Sequence, residues 1–172
     1  MQLQPGEVER FREVQPMHRN PIIRYLLPVE FFVMTAIFLP LGANASGNDQ
    51  ITLAIVWFCC GVILPLALAF GLQLTTVVTD RRLLTRFRPL GTKSIELDHI
   101  DAAEPIKYSP LGDVGGWGIK GSRKFGLVYN VAGEHGVLLN YTKDDKPKKM
   151  LIGSDHPGDI AVAIGKPPSP PE

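Results

Sequence analysis

The stretch that most suggests chemistry is "SPLGDVGGWGIKG", residues 109–121, which places five glycines around one tryptophan. A glycine loop that binds phosphate follows a strand and opens a helix, so that backbone N–H groups and the helix dipole face the anion. Here "SRKFGLVYNV" follows, and its alternation is that of a strand. We therefore predict that Gly115, Gly116 and Gly118 form a sharp bend between strands, which lets Trp117 pack on the core or at a membrane interface.

Residues that could catalyse a reaction are few. Of the four histidines, only His99 stands close to a partner, Asp101 in "HID", and no nucleophile or third group accompanies them. Cys59 and Cys60 are adjacent, a spacing that does not suit a metal site, and they are typical of small apolar packing residues. No HExxH, CxxC, GxSxG or Walker-type pattern occurs. We expect no catalytic residue, metal or cofactor, and hence no enzyme.

Basic residues give a second functional signal. Together with Trp117, the candidates for contact with a partner or with lipid are Lys120, Arg123, Lys124, Lys148, Lys149, Arg81 and Arg82. Near anionic headgroups each basic residue can contribute about 1 kcal/mol. Asp144 and Asp145 interrupt the lysine cluster, so an equal alternative is that the charges set membrane topology or belong to solvated loops. The scattered charge gives no support for nucleic-acid binding.

Two long apolar runs precede these residues. They cover residues 25–45 and 51–74, each long enough to cross a bilayer, and "SGNDQ" between them predicts a tight turn. About two dozen polar-rich residues come first, which is not the pattern of a cleaved signal peptide. Arginines lie before the first run and after the second, and none lies in the connection. The positive-inside rule then predicts a multi-pass protein of the inner (cytoplasmic) membrane with both termini cytoplasmic.

Glu30 is the ionisable residue within the first apolar run. An intramembrane carboxyl is by default a functional candidate, because burying its charge is expensive. The other explanation is that Glu30 lies near the headgroups, protonated or paired with arginine such as Arg24 six positions earlier. The sequence leaves both open.

After the second run the pattern changes to that of strands. "TTVVTDRRLLTRFRP" predicts a hairpin with its turn at Asp80 and Arg81, and further alternating segments bring the total to about seven strands. After "KKMLIGS", Ser154 or Asp155 is predicted to cap a short C-terminal helix. The proline-rich tail is expected to be extended and unpacked. The N-terminal "RFREVQ" fits either an interfacial helix or an added strand.

Several segments together resemble a family. They are "FREVQPM", "TVVTDRRLLTRFRPL", "IELDHIDAAE", "YSPLGDVGGWGIKG", "VYNVAGEHGVLL" and "LIGSDHPGDIAVAI". The chain resembles uncharacterised bacterial membrane proteins that join two N-terminal transmembrane helices to a C-terminal β domain like the pleckstrin-homology (PH) domain. The resemblance implies an α+β membrane protein with a PH-like β-barrel or sandwich capped by a C-terminal helix. The family would have a shorter hairpin turn where this chain has "KDDKPKKM", so that segment is expected to be an inserted loop.

The implied organisation is a cytoplasmic segment 1–24, a transmembrane hairpin 25–74, a cytoplasmic β domain 75–165 and a tail 166–172. Two functions fit it. In the first, the protein is a non-enzymatic scaffold or accessory subunit that binds other integral membrane proteins or a second copy of itself. In the second, the membrane-anchored domain recognises anionic lipid headgroups or a small anion through its basic loops.

Overall fold

The computed structural model of the chain describes residues 4–167. They divide into two compact units, a helical unit of residues 16–72 and a β unit made of the residues before and after it. The expectation for the proline-rich tail lies, over residues 168–172, outside the described residues.

The helical unit holds two long apolar helices. The first, α1, covers Pro21–Asn44; the second consists of α2 (Asn48–Phe58), a π-helical turn (Cys59–Ile63) and α3 (Leu64–Gly71). Each has 24 residues and is long and apolar enough to cross a membrane. The first starts four residues earlier than expected because Asn20 caps it, its Oδ1 accepting from the Ile22 N–H at 2.9 Å, and Pro21 suits the first turn.

The two long helices pack closely at one glycine. A Cβ added to Gly61 would lie 3.3 Å from Cβ of Met34 and 3.6 Å from Nε1 of Trp57. Gly61 lies in the π-helical turn and is buried, so its missing side chain lets α1 approach. Cys59 and Cys60 beside it are free and exposed on the helix surface, so they do not pack in this unit as expected.

The first sheet of the β unit contains strands from both sides of the helical unit in sequence. Its order is β1 (Glu9–Pro16), β2 (Gln73–Thr79), β3 (Arg82–Arg88) and β4 (Gly91–Glu96). The predicted β2–β3 hairpin is confirmed, with Val78 opposite Leu83. The N-terminal segment is therefore a strand, and Gln73 and Leu74, expected in the second apolar helix, begin β2.

The second sheet has five strands in the order β5-β8-β9-β7-β6. They cover β5 (Ile100–Lys107), β6 (Gly118–Ser122), β7 (Gly126–Asn130), β8 (His135–Lys143) and β9 (Lys146–Gly153), and β7 runs parallel to β9. The "KDDKPKKM" segment is not an inserted loop: only Asp144 and Asp145, at φ 54° and 56°, form the turn, and β9 starts at Lys146. Two-residue hairpin turns of type I′ require positive φ at both central residues, and Asp144 and Asp145 meet this requirement.

A short helix, α4 (Pro157–Ile164), packs against β2, β5 and β8 and buries Ile160 and Ile164. Its N-cap is His156, so neither Ser154 nor Asp155 caps it as expected. The Ser154 hydroxyl instead donates to the Glu13 carboxylate on β1, because that strand is part of the same unit. The described residues thus form nine strands rather than about seven, in two sheets that do not close into a barrel.

Candidate functional site

The glycine stretch joins β5 to β6 as a bend that lies over the second sheet. Gly115, Gly116 and Gly118 have φ of 71°, 114° and 115°, values that side-chain-bearing residues rarely adopt. Backbone bonds from Gly116 N–H to the Pro110 carbonyl (2.6 Å) and from Gly115 N–H to the Leu111 carbonyl (3.2 Å) close the bend. No helix follows, so the geometry of a helix-linked phosphate loop is absent from this described segment.

Side chains of the second sheet hold the bend in place. The buried Asn130 donates through Nδ2 to the Gly116 carbonyl at 3.2 Å. The Asp113 carboxylate accepts from the Ser109 N–H at 2.8 Å, which lowers the pKa of Asp113, and the Lys124 ammonium 3.2 Å away lowers it further. An apolar cluster lies beneath: Tyr108, Val114, Phe125, Val128 and Leu151.

The basic residues that follow Trp117 differ in their contacts and in their exposure to solvent. Lys120 donates through Nζ to the Gly115 carbonyl at 3.2 Å, and partial burial lowers its pKa. Lys124 pairs with Asp113 and lies 4.8 Å from the centre of the Phe125 ring. Arg123 is exposed. Lys120 and Lys124 therefore stabilise the bend, and Arg123 remains exposed to solvent.

Trp117 itself is half-buried at the end of the bend. Its Nε1 atom is inaccessible to solvent and has no hydrogen-bond partner among residues 4–167. Trp117 therefore packs on the β unit with part of its ring left exposed.

Arg81 and Arg82 lie in and just after the β2–β3 turn but have different surroundings. The Arg82 guanidinium lies 2.7 Å from the Glu7 carboxylate and is 18% exposed. A hydrogen bond that the Arg82 guanidinium donates through Nη2 to Oε2 of Glu7 at 2.9 Å holds the pKa of Glu7 below its ordinary value, against an opposing effect of burial. Arg81 is 63% exposed, and its nearest carboxylate, Asp80, is 4.0 Å away. Of the two arginines, only Arg81 extends freely into solvent.

The neighbouring lysines Lys148 and Lys149 project from opposite faces of the second sheet. Lys148 lies opposite Tyr141 and Lys149 opposite Asn140 in the β8–β9 ladder. Residues directly opposite in an antiparallel pair share a face, and successive residues alternate. Tyr141 lines a cavity of about 530 Å³, and neither Lys148 nor Lys149 is among the residues that line it.

That cavity, which we call the lysine groove, lies between β4 and the β8–β9 turn. Its lining includes Lys93, Ser94, Glu96, His99, Thr142, Lys143, Asp144 and Asp145. Partial burial lowers the pKa of Lys93, and the charges of Lys143 and Lys148 lower it further, with Asp144 opposing them. Lys143 and Lys148 are therefore close enough to Lys93 for their charges to act on it.

Glu30 lies in the helical unit at an apolar groove of about 280 Å³, which we call the Glu30 groove. The other residues that line it are Met17, Ile23, Leu26, Leu27, Pro65, Leu68, Ala69 and Leu72. The Oε2 atom of Glu30 is inaccessible to solvent and has no hydrogen-bond partner in the described part of the chain. Arg24 forms no ion pair with it among those residues.

Comparison of the chain with protein-family models, with curated proteins and with solved structures gave no significant match.

His99 and Asp101 do not come together as a pair. His99 Nδ1 lies 4.0 Å from Glu96, and Asp101 accepts from the Thr142 hydroxyl at 3.0 Å. Residues 4–167 contain no group of three or more His, Cys, Asp or Glu that could hold a metal ion.

Sequence reasoning missed Lys93 and the role of Lys143. Lys93 lies on a strand of the other sheet, and nothing local in the sequence links it to "KDDKPKKM". Lys148 and Lys149 both lie in the predicted strand "KKMLIGS", whose alternation could have separated them.

Proposed function

We propose that this protein is a non-enzymatic accessory subunit of a membrane complex, whose helical hairpin packs against a transmembrane helix of another protein. The carboxyl of Glu30 supports this proposal more than any other feature. A carboxyl within a membrane-spanning helix is not explained by anchoring alone, because an unpaired charge in hydrocarbon is costly. A partner that supplies a basic or hydrogen-bond-donating side chain would remove that cost.

The position of Glu30 favours a contact inside the membrane rather than at its surface. Glu30 comes nine residues after Pro21, the start of α1, which is about 13 Å along the helix. A 24-residue helix is about 36 Å long and exceeds a hydrocarbon core of about 30 Å by only about 3 Å at each end. With α1 centred in the bilayer, Glu30 lies about 10 Å below the core boundary.

The rest of the hairpin surface suits a bilayer and neighbouring helices. Large apolar side chains are exposed along both helices, including Phe32 at 70%, Leu39 at 69% and Phe70 at 64%. No part of the most apolar window of α1 is buried within the described chain. A surface of this kind is stable only against lipid or other apolar helices.

We assign the β unit to docking on the partner at the cytoplasmic face, where the arginines before and after the hairpin would place it. Two sheets followed by a C-terminal helix support the resemblance to PH-like domains, which serve as binding platforms. The ends of the second sheet differ: at β5, Ala103 N–H donates to the Pro167 carbonyl at 3.1 Å, which satisfies one N–H of that edge. The other end, β6, follows the bend that presents Trp117.

The test is affinity purification of the tagged full chain from its native membrane in mild detergent, followed by mass spectrometry. We expect an integral membrane partner in stoichiometric amount with the wild type and its loss with Glu30→Leu. Thr35→Val is the matched control, since the Thr35 hydroxyl already donates to the Phe31 carbonyl of its own helix at 2.8 Å. Recovery of the wild type as a monomer would contradict the proposal.

A further inference from the structure

We infer that the partner bound through Glu30 is a different membrane protein, not a second copy, and that it places a lysine or arginine inside the membrane beside the Glu30 groove. This inference rests on the proposed function and names the chemistry of its partner. It starts from the charges of the hairpin, because a group that compensates a carboxyl in hydrocarbon must lie at the same depth.

The hairpin does not compensate Glu30 by itself. Residues 25–71 contain no lysine, arginine or histidine. The preceding basic residue, Arg24, is six positions earlier in the chain, which is about 9 Å along a helix. The Oε2 atom of Glu30 is inaccessible to solvent and has no hydrogen-bond partner among residues 4–167. The compensating group therefore comes from outside these helices.

A second copy of the chain does not supply that group. Its spanning segments have the same composition and contain no basic residue. In a pair related by a two-fold axis along the membrane normal, each residue lies at the same depth in both copies. The second copy would therefore bring its own carboxyl, and not its Arg24, to the depth of Glu30. Two neighbouring carboxyls disfavour ionisation and add to the cost of burial.

A backbone carbonyl beside the groove also lacks its usual donors. The Leu64 N–H, which would bond the Cys60 carbonyl in a regular α-helix, instead donates to the Cys59 carbonyl in the π-helical turn. The next residue, Pro65, has no N–H. Helix carbonyls point toward the C-terminal end, so the Cys60 carbonyl points toward Pro65, which lines the Glu30 groove. A carboxyl and a carbonyl, both acceptors, are thus found at this groove.

These acceptors favour an ammonium or guanidinium group over a hydroxyl. A serine or threonine donates one hydrogen bond, whereas lysine and arginine each have several donors. Only the two basic groups also offset the charge of an ionised carboxylate. The other side chains that line the groove are apolar, which suits the aliphatic stem of lysine or arginine.

The depth of Glu30 gives the position of the basic residue in the partner. With α1 centred in the bilayer, Glu30 lies about 10 Å below the core boundary, a distance that corresponds to about seven residues of a helix. The lysine or arginine therefore lies about seven residues inside the spanning helix of the partner, counted from the surface at which α1 begins. A basic residue at the very end of that helix would extend to the headgroups instead.

The experiment compares three substitutions at Glu30 in the full chain, purified from its native membrane in mild detergent and analysed by mass spectrometry. Glu30→Asp keeps the charge, Glu30→Gln keeps the shape and the hydrogen-bonding capacity without the charge, and Glu30→Leu removes both. We expect Glu30→Gln to reduce recovery of the partner about tenfold, as much as Glu30→Leu does. Glu30→Asp should reduce it least. Thr35→Val is the matched control, and melting temperatures in detergent show whether each variant is folded.

The outcomes distinguish this inference from the proposed function. Loss of the partner with Glu30→Leu but not with Glu30→Gln would overturn the basic partner and leave the accessory subunit in place, because an amide can replace a carboxyl toward a hydroxyl. Recovery of a second copy alone would also overturn the inference. Undiminished recovery with Glu30→Leu contradicts both proposals.

An exchange of charges provides the second measurement. Glu30→Lys should prevent recovery of the partner, and replacement of the partner's intramembrane lysine or arginine by glutamate should restore it. The inference is overturned if the recovered partner has no lysine or arginine in its spanning helices. It is also overturned if the exchanged pair is not recovered although both chains are inserted in the membrane.

Discussion

The backbone N–H of Met17 donates to the carbonyl of Leu72 at 3.0 Å, which joins the residues just outside the two ends of the helical hairpin. His18 and Phe70 stack beside this bond, with ring centres 5.0 Å apart. The first long helix therefore starts next to the point where the second ends. For a hairpin that crosses a bilayer, this arrangement places both of its ends at the same surface.

The bend that presents Trp117 depends on backbone conformation, which two glycines of β6 can test. Gly118 has φ of 115°, whereas Gly121 has no such restriction, and an added Cβ meets nothing within 4 Å at either position. We predict that Gly118→Ala lowers the free energy of unfolding by about 1–3 kcal/mol through strain. Gly121→Ala should change it by less than about 0.5 kcal/mol. The measurement is thermal unfolding of both variants. Equal losses of stability would contradict the claim that the bend requires a positive φ at Gly118.

The Glu7–Arg82 pair predicts a dependence of stability on pH. Because the folded pKa of Glu7 is lowered, its contribution to stability is complete above the unfolded value of about 4.3 and is lost as the pH falls through the folded value. The difference in melting temperature between the wild type and Glu7→Gln should therefore shrink on acidification. Glu134→Gln, which removes an exposed pair with Lys107, is the control. A difference that grows in acid would contradict this assignment.

Gly61 is predicted to set the distance between the two long helices. Gly61→Val would push a side chain into Met34. This overpacking should lower the free energy of unfolding by about 1–3 kcal/mol. Gly42→Val is the matched control in α1, since an added Cβ there meets no atom within 4 Å. Melting temperatures in detergent should fall for the first variant only. Equal tolerance of both would show that the helices do not pack through Gly61.

Trp117 is predicted to contribute to the binding of the partner. Trp117→Ala should reduce the amount of partner recovered with the tagged chain, because the exposed part of the ring would be lost from the interface. Leu111→Ala tests the same bend at a side chain that is 63% exposed, and it should leave recovery unchanged. The melting temperature of each variant distinguishes loss of binding from loss of folding. Undiminished recovery with folded Trp117→Ala would remove this residue from the interface.

The sequence was sufficient for features that depend on local patterns. Alternation predicted the β2–β3 hairpin, and composition predicted the two long apolar helices. The start of α1 was predicted too late although the signal was present, since Asn20 followed by Pro21 is a typical helix start. The bend at Gly115–Gly118 was predicted from the strand pattern that follows it.

Features that depend on distant pairing were not predictable in this way. The pairing of β1 with β2 joins strands separated by the whole helical unit, and the parallel β7–β9 pair has no turn signal. The lysine groove combines Lys93 with Lys143, which come from different sheets. Nor does the sequence show that Lys120 binds the Gly115 carbonyl and Lys124 the Asp113 carboxylate within the bend.

The most direct test of the account is photo-crosslinking in the intact native membrane from Leu26, which lines the Glu30 groove and is 51% exposed. We predict a crosslink to an integral membrane protein that disappears with Glu30→Leu and persists with Thr35→Val. Crosslinks to lipid alone, unaffected by Glu30→Leu, would contradict the proposal that this chain is an accessory subunit held through its membrane helices.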